Sequence, residues 1–142
     1  MKPHVLMVDD NPGDLQMIEE AFKDSRIDVS FHSARHAAEA LEHLTRHEVC
    51  GTPLPDVVIL DLNMPGLGGR DIISIMRGDR AWKHIPIVVF SGDASIDAQR
   101  TCQELGAHEV VVKPGTYSKY LSLVQRLPRF WRAPAQRPAR AS

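Results

Sequence analysis

The stretch PDVVILDLNMPGLGG (residues 55–69) sets four consecutive apolar residues, Val57 to Leu60, directly before an aspartate and a turn rich in Pro and Gly. A run that is apolar at every position suits a strand buried on both faces, as in a parallel sheet covered by helices on each side. Working outward, five such runs alternate with amphipathic segments: His4 to Val8, Ile27 to His32, Asp56 to Leu60, Ile87 to Ser91 and Glu109 to Val112. Alternation of this kind predicts five βα units wound around one parallel sheet, an α/β fold.

Helical spacing fills the gaps. Asn11 and Pro12 open the first helix as N-cap and first helical residue, with Leu15, Ile18 and Phe22 on its buried side. The second helix runs through Ala37, Ala40, Leu41 and Leu44. Residues 68–80 supply the third, with Ile72, Ile75 and Met76 inward, and the fourth starts near Ala94 and stops at Gly106. The fifth starts near Thr116 and is apolar at Tyr117, Tyr120, Leu121, Val124 and Leu127. Leu123, Phe130 and Trp131 fall outside that stripe, and Pro128 should end the helix.

The polar residues at the ends of these runs carry the chemistry. Asp9 and Asp10 follow the first strand, Asp61 the third, Ser91 closes the fourth, and Lys113 follows the fifth. In a parallel sheet the carboxyl ends share one edge, so three acids, a hydroxyl and an ammonium converge. Such acids repel unless a cation sits among them, and Mg2+ suits carboxylates plus a phosphate oxygen. Asp9, Asp10 and Asp61 are the candidate ligands, with the backbone carbonyl of Asn63 as a further one. Asp61, alone at the end of the middle strand, is the candidate nucleophile, and a carboxylate needs no general base to attack phosphorus. Lys113 would neutralise phosphoryl oxygens, Ser91 would hydrogen-bond one, and Gly92 leaves room. Asp56 is excluded, because it starts the strand that Asp61 follows, roughly 16 Å away.

Composition limits the alternatives. With 142 residues, 43% apolar and 25% charged, the chain reads as one ordinary globular domain with no room for a second. Cys50 and Cys102 form no CxxC pattern, and two reduced thiols favour the cytoplasm. The opening apolar run is too short for a signal peptide, and no stretch approaches the roughly 20 apolar residues that span a bilayer. Seven basic and no acidic residues follow from Val110 onward, against ten basic and eighteen acidic before it. The spacing of those arginines among prolines predicts a solvated tail, or one meeting an acidic protein face, rather than DNA or membrane contact. Domain limits of 1–132, with a disordered basic tail at 133–142, follow from the loss of periodicity after Arg132.

The motifs VDDNPGD, PDVVILDLNMPGLGG, IPIVVFSGD and VVVKP, in this order, resemble the receiver domain of two-component response regulators (CheY-like) up to about Trp131. The resemblance implies a flavodoxin-like sheet of order 2-1-3-4-5, Asp61 as phosphoacceptor, a sensor histidine kinase as donor, and Mg2+ as cofactor. DNPGD, DLNMP and RLPRFW are similar to stand-alone receivers associated with phytochrome-type kinases. That likeness implies a homodimer through the fourth helix, fifth strand and fifth helix, in keeping with surplus apolar residues Leu123, Phe130 and Trp131. The resemblance to the receiver family also implies that Asp93 and Asn63 help set the lifetime of the phosphoryl group, and that the Lys113–Pro114 peptide is cis. Two positions depart from the family. Val110 stands where an aromatic switch residue is usual, and Gly115 follows Pro114.

On this reading the chain is a phosphorylation switch without an output domain, not a turnover enzyme. A degenerate, constitutive binding receiver is one alternative. A haloacid dehalogenase-like phosphohydrolase is another, although its DxDxT nucleophile motif would follow the first strand, where DDNPG stands. His36, His43 and His47 share one face of the second helix, but no acidic or thiol ligands accompany them, so they read as a surface face rather than a zinc site. The glycines at 66, 68 and 69 read as turn and hinge residues, since their spacing matches neither nucleotide fingerprint.

Overall fold

Strands β1 (His4–Val8), β3 (Val57–Asp61) and β4 (Ile87–Ser91) are buried at all five of their residues. Because side chains alternate across a strand, each feeds two cores. Leu6, Val8, Val58, Leu60, Ile87 and Val89 pack on one face of the sheet, and Val5, Met7, Val57, Ile59, Val88 and Phe90 on the other. This computed structural model describes residues 2–62, 69–92 and 95–131. Its sheet is parallel throughout and ordered β2-β1-β3-β4-β5, with β2 (Ser30–Ala34) and β5 (Glu109–Val112) at the edges. The fold is flavodoxin-like, as the motif order implied.

Helices α1 (Pro12–Asp24) and α5 (Tyr117–Arg126) cover one face, contributing Ile18, Ala21, Phe22, Tyr120, Leu123 and Val124. The other face lies under α2 (Ala37–Cys50), α3 (Gly69–Gly78) and α4 (Ile96–Leu105). The Asn11 side chain accepts the Gly13 N–H at 2.8 Å and Pro12 takes the first turn, so α1 begins where its capping residues dictate. Gly106 ends α4 at φ +117°, a left-handed geometry that favours glycine. Arg77 presses on Gly106 so closely that an added Cβ would lie 2.7 Å from its side chain.

Four expectations need correction. The second strand is Ser30–Ala34, not 27–32. Ile27 instead donates its N–H to Phe22 O at 3.0 Å, closing α1, and with Val29 packs beside that helix. An edge strand buries less, so the more apolar lead-in outweighed the strand in the sequence pattern. Ile75 is exposed, and Ile73 takes its place in the core. Leu123 is buried, because Tyr120, Leu123, Val124 and Leu127 form the i, i+3, i+4, i+7 stripe, and Phe130 and Trp131 pack partly against the same core. These three residues are therefore largely used within the chain. The Lys113–Pro114 peptide is trans. Trans is the intrinsically preferred form even before proline, by roughly 0.5–1 kcal/mol.

Pro128 ends α5 as expected, with a single 3-10 turn over Leu127–Phe130. The 133–142 tail lies outside the described residues. Cys50 and Cys102 are free thiols, exposed and buried respectively. Among the described residues no helix is long and apolar enough to cross a membrane.

Candidate functional site

Register brings the polar residues together. Val8 pairs with Leu60, so Asp9 and Asp61 leave neighbouring strands side by side. Asp61 pairs with Phe90 and Ser91 with Val112, which moves the rim one residue further at each step toward Lys113. The Lys113 N–H donates to Ser91 O at 2.9 Å and the Leu62 N–H to Phe90 O at 3.0 Å, extending the ladder into the loops. Gly69 lets α3 start against this edge, where an added Cβ would lie 3.0 Å from Asp61 O.

Ligand oxygens of Asp9, Asp10 and Asp61 lie within 4.8 Å of one another. Asp9 and Asp61 are buried and Asp10 is exposed. Asp9 Oδ1 accepts the Asn11 N–H at 2.9 Å, while its buried Oδ2 has no hydrogen-bond partner and stands 3.9 Å from Lys113 Nζ. Burial pushes the Asp9 carboxyl up to about 7 against the opposing Asn11 hydrogen bond, and repulsion from Asp61 adds to the rise. A buried oxygen lacking a donor, inside an all-oxygen acidic set, fits a hard divalent cation. Bonds of about 2.1 Å to Mg2+ would separate ligand oxygens by about 3 to 4 Å, comparable with the spacing here.

Lys113 Nζ donates to Asp61 Oδ2 at 3.2 Å and to Asp14 Oδ2 at 2.9 Å. Burial alone would lower its pKa, but the hydrogen bonds to Asp14 and Asp61 and the nearby Asp9 charge outweigh burial and raise it. Lys113 is thus a fixed cation at the lip of the acidic pocket.

Asp14 is a fourth pocket acid that sequence reasoning missed. Its place in the first turn of α1, within the quoted DNPGD motif, was the available signal. Tyr120 on α5 donates its hydroxyl to Asp14 Oδ1 at 3.3 Å, and burial, with Asp14 close by, pushes the phenol up to about 12. A continuous set of contacts therefore runs from Asp61 through Lys113 and Asp14 to α5.

The other sequence candidates divide by position. Ser91 is buried at the end of β4, and Gly92 is exposed on the bend after it. Val110 pairs with Val89 and packs on the α2–α4 side, below the rim. Asn63 and Asp93 lie outside the described residues. Asp56, excluded on distance, is at the opposite end of β3, where its carboxylate accepts the His4 N–H at 2.8 Å. His36 is exposed and its ring accepts the Glu39 N–H at 3.3 Å, whereas His43 turns toward His4 and His32.

Comparison with known proteins gives three kinds of likeness. A family model described as the response regulator receiver domain matches residues 5–125. Response regulator Rcp1 of Synechocystis sp. is 27% identical over 136 residues, covering 95% of this chain and 92% of its own. Among solved structures, the phosphorylated cyanobacterial phytochrome response regulator RcpA matches with a TM-score of 0.81 at 27% identity, over 92% of this chain and 94% of that one. The Mn2+-bound form of Rcp1 matches with a TM-score of 0.77 at 26% identity, over 96% and 99%.

Proposed function

Because the chain belongs to the response regulator receiver family of two-component systems, we propose that Asp61 accepts a phosphoryl group from a sensor histidine kinase and that the resulting acyl phosphate is the signal. The observation that carries this reading is the 3.2 Å contact between Lys113 Nζ and the buried Asp61 carboxylate, beside an Asp9 oxygen that has no hydrogen-bond donor.

In the reaction the Asp61 carboxylate attacks phosphorus, the nitrogen–phosphorus bond of phosphohistidine breaks, and the imidazole leaves. Lys113 turns its ammonium from the free carboxylate to the phosphoryl oxygens, and the Ser91 hydroxyl donates to one of them. Mg2+, held by Asp9, Asp10, Asp61 and the Asn63 carbonyl, would supply charge neutralisation for those oxygens. Gly92 leaves the space, Pro114 shapes the backbone after the lysine, and Asn63 and Asp93 govern access of the hydrolysing water. The protein transfers and slowly loses one phosphoryl group and is not a turnover enzyme.

The likeness to phytochrome response regulators, RcpA among them, supports a bacteriophytochrome-type kinase as the partner, and two free thiols support the cytoplasm. A DNA contact gains no support, since Arg126 and Arg129 are paired to Glu109 of the same chain. Neither alternative gains a supporting observation. The closeness of Asp9, Asp10, Asp61 and Lys113 favours a reactive receiver over a degenerate one, and the isolated acid ends β3 rather than lying in a DxDxT motif after β1.

Incubation with acetyl phosphate and Mg2+, followed by intact mass, tests the assignment. One phosphoryl adduct is expected, absent in Asp61→Asn and decaying at altered rates in Asn63→Ala and Asp93→Ala. An adduct that persists in Asp61→Asn overturns the site, and unchanged decay removes the role given to Asn63 and Asp93.

A further inference from the structure

At the amino-terminal rim of the sheet, opposite the acidic pocket, three imidazoles from three elements meet. His4 opens β1 on the face shared with Leu6 and Val8, and its register partner Ser30 places His32 two residues further along the same face of β2. Helix α2 crosses there and contributes His43. Ring centroids are 4.5 Å apart for His4 and His32, 4.8 Å for His32 and His43, and 5.2 Å for His4 and His43. The Nε2 atoms of His4 and His43 face each other at 3.0 Å.

His4 is only 4% exposed, so this is a built feature of the core edge rather than a surface coincidence. Burial, then the neighbouring His32 and His43, bring its pKa down to about 4, and burial lowers that of His43 as well. Uncharged rings each keep a nitrogen lone pair. The Asp56 carboxylate accepts the His4 backbone N–H, and Arg46, one turn along α2, is paired with Glu42 at 3.3 Å.

We propose that His4, His32 and His43 bind one borderline divalent transition ion, of the Zn2+ class. Two nitrogens bound to Zn2+ at about 2.05 Å with a tetrahedral angle stand about 3.3 Å apart, close to the observed 3.0 Å between the two Nε2 atoms. His32 is exposed on the edge strand, and besides its ring contacts to His4 and His43 it holds a 3.4 Å contact to Ser30 Oγ. As placed, the three imidazoles do not bring one nitrogen each within 4.8 Å of one another, so binding would need a rotation of the exposed His32 side chain, with water completing the site. A hydrogen bond between His4 and His43 would satisfy that pair without a metal, but gives His32 no role. Imidazole donors favour Zn2+ over Mg2+, while the all-carboxylate pocket suits Mg2+, so the two sites need not compete. An ion here would pin α2 to the β1–β2 edge.

The test is a titration of the tag-free full chain with Zn2+ alone as probe, in excess Mg2+, by calorimetry and thermal melting. One Zn2+ per chain and a raised melting temperature are expected, with affinity at least tenfold weaker in His43→Ala and in His32→Ala and unchanged in Asp61→Asn. His32→Ala is the decisive variant, because an exposed edge residue can be removed without disturbing the fold. No Zn2+ binding by the wild type, equal affinity in His32→Ala, or loss of binding in Asp61→Asn would overturn the proposal.

Discussion

Asp9 keeps one oxygen buried beside Asp61 and Lys113 with no donor, and its carboxyl titrates near 7 rather than near the unfolded value of about 3.9. The folded chain therefore holds a proton that the unfolded chain has lost across that window. The stability from this group is fully present below about pH 4 and declines as pH rises through about 7. A cation in the pocket replaces the proton. Thermal melts should show a larger Mg2+-induced rise in Tm at pH 8 than at pH 5, with the difference shrinking in Asp9→Asn. Equal rises at both pH values in the wild type would contradict this account. His4 titrates oppositely, losing stability as pH falls from about 6.5 to about 4, but it acts alike with and without Mg2+ and cancels from the comparison. Asp9, Asp61 and Lys113 were legible in the sequence because each directly follows an apolar run, and Asp10 because it extends the first of these stops. Asp14 was not, since its partner Lys113 is 99 positions away and meets it only once the sheet has closed that distance.

At the level of elements, Arg77 ties the end of α3 to the segments around β4 and β5. Its guanidinium donates to Gly106 O at 2.9 Å, Lys83 O at 2.7 Å and Ile85 O at 2.9 Å, and contacts His108 Nδ1 at 3.2 Å. Burial lowers its pKa without uncharging it. Arg77→Ala strips a charged donor from three carbonyls and should cost roughly 2 kcal/mol, read as a lower midpoint in urea with an unchanged slope. An unaltered midpoint would show that water replaces the guanidinium at no cost. Element boundaries set by capping chemistry, such as Asn11-Pro12 and Gly106, were readable from sequence. The phase of α5 was not, because its run from Tyr117 to Leu127 is apolar at enough positions for more than one stripe, and contact with α1 selects Leu123.

For the whole molecule the basic surplus after Val110 is partly neutralised internally. Lys113 faces three acids, and Arg126 and Arg129 meet Glu109. The face formed by α4, β5 and α5 still exposes Ile96 and Val112, 71% and 44% accessible. We keep the homodimer on that face as an expectation, with Val112 in place of the consumed Leu123. Sedimentation at micromolar concentration should give a dimer that Val112→Asp converts to monomer. A monomeric wild type, phosphorylated or not, would remove the expectation.

By itself the sequence determined the parallel sheet, the element order and the acids and lysine at its carboxyl rim. Runs apolar on both faces, and the polar residues that stop them, are local properties of the chain. Tertiary structure decided that Asp14 and Tyr120 join Lys113, that β2 pairs through Ser30 to Ala34 and that His43 faces His4 and His32 instead of its neighbours on α2. These contacts depend on how layers pack across many intervening residues, and periodicity along one segment carries no record of what the opposite layer presents.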